Sequence, residues 1–269
     1  MPDRPHDPPR RIVCLTEEPT EILHLLGEER RIVGISAWTE RPPDAKAKFP
    51  VVSAFTGGSV EKIAALEPDL VVGFSDVQAD LAATLIRAQL PVLIFNQRSV
   101  AEILDVILVL GRIVGAGAKA EALVEGYRAR LDAVRAATAG RPRPRVYFEE
   151  WPDPMISAIR WVSELINIAG GENVFDACSH GSLAKERFIE PDDVIAAQPD
   201  VIFASWCGKP VDTDEIRQRP GWDEIPAVRT GRIHEIPSAT ILQPGPGALT
   251  DGVAELARHL EAAATAPTP

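Results

Sequence analysis

Six large aromatic residues sit where this chain could hold a ligand. Trp38, Phe55 and Phe74 lie in the first half, and Trp151, Phe188 and Trp206 in the second. Each ends, follows or lies near a short apolar run, where a strand would give way to a loop. Aromatic faces gathered at such edges, with few charges among them, suit a bulky, partly flat small molecule held by stacking and a few hydrogen bonds. They offer binding without bond chemistry. A second constellation could react: Cys178 and His180 share a loop with Glu186 nearby, and Glu149, Glu150 and Asp153 end a strand of the same half. Thiol, imidazole and carboxylate together are transition-metal ligands, so the alternative to a binder is a metal-dependent enzyme using Cys178, His180 and Glu149/Glu150.

Other reactive patterns are weak. There is no Gly-x-Ser-x-Gly elbow, no phosphate-binding loop and no His-Glu-x-x-His pair. Ser182-Leu-Ala-Lys185 lacks the companion motifs of its enzyme class. Gly111, Gly115 and Gly117 do not follow a strand, as a dinucleotide loop would. His24 and His234 are flanked by aliphatic residues and read as structural. No intrinsic cofactor is expected.

The elements that must position these residues alternate. Strands are expected at Arg11–Leu15, Ile32–Ile35, Leu70–Phe74, Val92–Phe95, Arg145–Glu149, Val201–Ala204 and Arg232–Ile236. Helical patterns lie between them, among them Thr20–Leu26, Ser59–Leu66, Val77–Arg87 and Ser163–Ala169. Such alternation implies parallel sheets covered by helices. From Ser99 to about Ala139 strand signals vanish, and Leu123, Tyr127, Leu131 and Val134 recur at helical spacing. The chain thus reads as an N-terminal α/β lobe over 1–98, a helical connector over 99–141 and a C-terminal α/β lobe over 142–269.

The two lobes share a pattern. Glu61-Lys-Ile-Ala-Ala-Leu-Glu-Pro-Asp-Leu-Val-Val-Gly73 aligns without a gap on Asp192-Asp-Val-Ile-Ala-Ala-Gln-Pro-Asp-Val-Ile-Phe-Ala204. Each copy is an acid-headed helix, a Pro-Asp stop and a buried strand. Two similar lobes facing across a cleft would put the carboxyl edges of both sheets, where open α/β sheets bind ligands, against one ligand.

Composition removes other classes. With 28 Lys+Arg against 39 Asp+Glu the formal net charge is −11, opposite to what phosphate neutralisation requires. No run approaches the roughly 18 continuous apolar residues of a membrane span. The opening Met1–Arg11 is polar and proline-rich, without the apolar core of a secretory signal. The chain as written is therefore expected in the cytoplasm, and in the periplasm if its natural start has been trimmed. Three scattered cysteines, without a Cys-x-x-Cys pair, suit a reducing compartment.

Several segments resemble the helical-backbone (class III) substrate-binding proteins of ABC transporters for iron chelates and cobalamin. They are Arg11-Ile-Val-Cys-Leu-Thr-Glu-Glu-Pro-Thr-Glu21, Val33-Gly-Ile-Ser36 with Arg41-Pro-Pro43, Leu66-Glu-Pro-Asp-Leu-Val-Val72, Ala169-Gly-Gly-Glu-Asn-Val174 and Gln198-Pro-Asp-Val-Ile202. Trp151-Pro-Asp-Pro154, Trp161-Val-Ser-Glu-Leu165, Cys207-Gly208, Arg219-Pro-Gly-Trp222 and Pro244-Gly-Pro246 are most similar to the cobalamin-binding branch that lacks a signal peptide. The resemblance implies two Rossmann-like lobes joined by a long interlobe helix, with ligand held between them. It implies Trp38, Phe55, Phe74, Trp151 and Phe188 as ligand contacts. It also implies Glu61 and Asp192 as paired acids that dock on a membrane permease, which by themselves would equally suit a protein-interaction module. The expected ligand is cobalamin or another corrinoid, with a siderophore or haem as the alternative. Two positions depart from the family pattern: Ile159-Arg160 stands where a glycine is usual, and Gly247 where an arginine is.

Overall fold

The computed structural model describes residues 7–265; the polar opening residues 1–6 and the last four residues lie outside it. By its internal contacts the chain divides into two compact units. One comprises the residues up to Gln97 together with Ala101–Gly126, and the other Arg98–Val100 with the residues from Tyr127 onward.

The first unit is built on five strands, β1 (Ile12–Cys14), β2 (Ile32–Ser36), β3 (Val51–Ser53), β4 (Leu70–Phe74) and β5 (Val92–Phe95), in the order β3-β2-β1-β4-β5. Every pairing is parallel. A parallel sheet needs cover on both faces, so its central strands read as unbroken apolar runs; all of β1 is buried. Val13, Leu15, Val52, Ile63, Val71, Leu81 and Leu85 form a core on this sheet.

The second unit contains β6 (Arg145–Pro152), β7 (Met155–Ser157), β8 (Glu172–Asn173), β9 (Val201–Ala204) and β10 (Ile233–Glu235). The order is β10-β9-β6-β7, with β8 also on β6. Here the parallel expectation needs one amendment. β7 returns antiparallel to β6 through Asp153 and Pro154, a hairpin short enough to need no crossover helix.

The internal repeat has a local cause. In the first unit both Asp69 carboxylate oxygens accept main-chain N–H groups of Arg10 and Arg11, at 2.7 and 2.8 Å, while the Arg11 guanidinium donates to the Leu66 carbonyl. In the second, Asp200 accepts the Arg145 N–H at 2.8 Å and the Arg145 guanidinium donates to the Ala197 carbonyl. In both units the helix that ends there, Val60–Ala65 or Pro191–Ala197, leaves carbonyls that its own backbone cannot satisfy. The aspartate ties the helix exit to the start of the neighbouring strand, and the arginine closes the helix end. Even the turn is repeated: Glu67 and Gln198 both take φ 45°.

Residues 99–141, read from sequence as a connector, hold two helices, Val100–Ile113 and Gly117–Thr138, of which Ala101–Gly126 belongs to the first unit and Tyr127 onward to the second. The second, of 22 residues, is roughly 33 Å long. The break falls at Gly115, at φ 75°, a left-handed turn that glycine adopts without steric cost. Just before it, a Cβ on Gly111 would lie 2.3 Å from the Ala120 Cβ, so only glycine lets the two helices meet this closely.

Candidate functional site

In the first unit the strand order reverses between β1 and β4, the point in an open α/β sheet beyond which ligands bind. The segments leaving the sheet there are tied by one side chain. Gln78 is fully buried; its amide donates to the carbonyls of Leu15 and Phe55, at 3.2 and 3.1 Å, and its oxygen accepts the Phe74 N–H at 3.1 Å. Ser53 Oγ adds a bond to the Leu15 carbonyl at 3.2 Å. The ends of β1, β3 and β4 are thereby held together, and Phe55 is presented with 37% of its surface exposed. Trp38, just beyond β2, is 40% exposed. Phe74, expected among the ligand contacts, is instead buried at the end of β4. Gln78 was not singled out in the sequence, because a lone glutamine before a helix carries no pattern.

Beside this edge the helix Glu17–Leu25 opens with buried acids. Burial pushes the Glu17 carboxyl up to about 8, against the Glu40 N–H that it accepts at 3.4 Å. Burial likewise pushes Glu18 up to about 7, against its own backbone amide and the nearby Thr16 hydroxyl. Glu18 is 2% exposed and one of its oxygens has no hydrogen-bond partner. Glu21, one turn on, accepts Arg41 Nε at 2.6 Å.

In the second unit two carboxylates end β6, and both are committed to arginine. Glu149, without solvent exposure, accepts both Arg219 Nη atoms (2.5 and 2.9 Å), the Tyr147 hydroxyl (3.0 Å) and the Trp206 indole N–H (3.1 Å). Burial opposes the Arg219 charge, but the Glu149 carboxylate outweighs it and holds the guanidinium pKa up. Burial and the same carboxylate raise the Tyr147 pKa well above its ordinary value. Glu150 accepts the buried Arg187 through both oxygens, at 2.5 and 3.1 Å, and Arg187 also donates to the Ser157 carbonyl at 2.6 Å.

These bonds bear directly on the alternative metal reading. Glu149 and Glu150 each face a guanidinium, which fills the place that a cation would take. Cys178 and His180 lie on and just after the short helix Asp176–Ser179. Among the described residues no group of three or more His, Cys, Asp and Glu side chains could hold a metal ion. His24 pairs with Glu29 at 2.5 Å, half exposed. His234 stacks on His259 with ring centroids 3.8 Å apart.

The aromatics of the second unit divide in the same way as those of the first. Phe188 is 47% exposed, anchored by an antiparallel bridge to Ile156 and by its neighbour Arg187. Trp151 is half-buried, its indole N–H donating to the Asp153 carbonyl at 2.9 Å. Trp206, also expected to face ligand, is only 2% exposed, because Glu149 draws its N–H into the core. Glu61 and Asp192 are both exposed in the first turns of the equivalent helices Val60–Ala65 and Pro191–Ala197. Glu61 accepts the Ser59 hydroxyl at 3.0 Å. Its own backbone amide and that hydroxyl hold its carboxyl below the usual range. Arg160, at the position where the chain departs from the glycine pattern, is paired with Glu164 on its own helix at 2.9 Å.

Residues 12–240 match the periplasmic binding protein family. The chain belongs to that family. Among curated relatives, a vitamin B12-binding protein of Vibrio parahaemolyticus serotype O3:K6 is 26% identical over 95% of this chain and 91% of its own length. An uncharacterized ABC transporter substrate-binding lipoprotein of Bacillus subtilis, YvrC, is 27% identical over 94% of this chain and 80% of its own. Among solved structures, the periplasmic heme-binding protein RhuT of Roseiflexus sp. RS-1 superposes with a TM-score of 0.77 at 27% identity, covering 93% of this chain and 99% of that one. The two parallel-dominated sheets are therefore the fold of this family, as the motifs implied.

Proposed function

We propose that this protein is the ligand-capturing component of an ABC uptake system, or a relative of one, and that it binds a bulky metal chelate without chemical conversion. The observation that carries the reading is the set of solvent-reaching aromatics at the carboxyl edges: exposed Trp38 and Phe55 in the first unit, half-buried Trp151 and exposed Phe188 in the second. Large apolar side chains left in water at a ligand-binding edge are costly unless a partner covers them. A corrinoid is the first choice of ligand, supported by the name of the Vibrio relative, and a haem or siderophore the second. Titration calorimetry with cyanocobalamin and with hemin tests this. Saturable one-to-one binding of the corrinoid supports the reading, binding of hemin alone replaces the ligand, and heat from neither, nor from a ferric siderophore titrated in the same way, overturns it.

Glu61 and Asp192 are proposed to dock on a permease. Their support is duplication: both stand exposed at the heads of equivalent helices. The helix dipole alone would also favour an acid there, so the test must separate the two. Reversing both charges should abolish transporter-dependent uptake while leaving ligand affinity unchanged, and unchanged uptake would remove the assignment. Capture for an uptake permease calls for a site outside the cytoplasm, whereas a relative outside such a system could act within it; cell fractionation distinguishes the two. No helix among the described residues is long and apolar enough to cross a membrane.

A further inference from the structure

Lys209 follows β9 in the loop that leaves Trp206, and its side chain folds back over two indoles. The ammonium lies 4.5 Å from the centroid of the Trp206 ring and 4.9 Å from that of Trp151. A turn closed by the Lys209 N–H on the Trp206 carbonyl, at 3.3 Å, sets this approach. A cation within about 6 Å of an indole face is attracted by the ring quadrupole. Both rings are fixed by their indole N–H groups, that of Trp206 donating to Glu149 and that of Trp151 to the Asp153 carbonyl. The acids near the end of β6 are already taken, Glu149 by Arg219 and Glu150 by Arg187, and Asp212, three residues on, caps the next helix by accepting the Asp214 and Glu215 N–H groups. Among the described residues Lys209 forms no ion pair with a carboxylate.

The second unit therefore presents an uncompensated positive charge on an aromatic platform, at the edge where its sheet would meet ligand. A neutral macrocycle uses only the platform. One bearing a carboxylate on its rim also gains a charge-assisted bond to the ammonium. We propose that Lys209 is an anion-selecting subsite that favours metal chelates carrying a peripheral carboxylate. This rests on the reading of Trp151 as a ligand contact.

Two corrinoids with the same ring separate the ideas: dicyanocobyric acid, with one free carboxylate, and dicyanocobinamide, in which that group is an amide. At low salt the wild type should bind the acid at least about tenfold more tightly, with the advantage shrinking as salt screens it. Lys209→Met should equalise the two, Lys209→Glu should reverse the order, and Lys209→Arg should keep it. Lys209 is exposed, so these variants leave the core intact. A ratio unchanged in Lys209→Met overturns the subsite while the corrinoid reading stands. A wild type that binds neither compound overturns both.

Discussion

At Glu149 the protein buries a carboxylate and surrounds it with three donors, from Tyr147, Trp206 and Arg219. Removing one partner of such a buried pair leaves the other charge uncompensated, which costs far more than the pair contributes. Arg219→Met should therefore destabilise the protein by about 3–5 kcal/mol in urea unfolding. The double variant Arg219→Met/Glu149→Gln should recover much of that loss, since an uncharged glutamine can still accept from the Trp206 indole with its oxygen and donate its amide to the Tyr147 hydroxyl. Glu18 follows different logic. Its carboxyl is raised to about 7 in the fold against 4.5 when unfolded, so the folded state holds the extra proton. Its stabilising protonation is complete below the unfolded value and is lost as pH rises through 7. Glu18→Gln should abolish that loss, stabilising the protein by ~1–3 kcal/mol at pH 8 and changing little at pH 4.5. Thermal melts at the two pH values check this.

Among the elements, the helix ends and the helix crossing are the sensitive places. Asp69 and Asp200 close the same joint in the two units, so Asp69→Ala and Asp200→Ala should each cost about 1–3 kcal/mol, by loss of acceptors for strand amides. Equal costs would indicate that the repeat is a structural device used twice. Gly111→Ala should destabilise by roughly 1–3 kcal/mol, because its methyl group meets Ala120. Adding Ala120→Gly should restore most of it. Strand positions were legible wherever the chain has a continuous apolar run: Leu70–Phe74 and Val201–Ala204, largely buried, and Val92–Phe95, half-buried at the sheet edge, fall where the pattern placed them. Val51–Ser53, Met155–Ser157 and Glu172–Asn173 escaped, being two or three residues long and lying beside proline or glycine and polar turns. Segments so short have no measurable period, and their pairing partners define them.

For the molecule as a whole, pH acts on the two units with opposite sign. In the first, Glu17 and Glu18 weaken the fold as pH rises from about 4.5 toward 8. In the second, burial and the neighbouring His259, Arg258 and Arg232 lower His234 to about 4. The unfolded chain then binds the extra proton between about 4 and 6.5, so this contribution is present at neutral pH and is lost on acidification. Hydrogen exchange should show the opening free energy of the first unit falling, and that of the second rising, as pH is raised from 5 to 8.5; the same direction of change in both would contradict this. The alternation of elements, the Pro-Asp repeat and the positions of the aromatics were all determined by sequence alone, because period and turn chemistry are local properties. Which aromatics face water was decided only in three dimensions. Trp206 and Phe74 occupy strand ends as Trp151 and Phe55 do, yet they are buried. A side chain's exposure depends on distant neighbours, here Glu149 beneath Trp206 and Gln78 bracing the end of β4. The same holds for the acids ending β6, which read as metal ligands until Arg187 and Arg219, far along the chain, are brought against them.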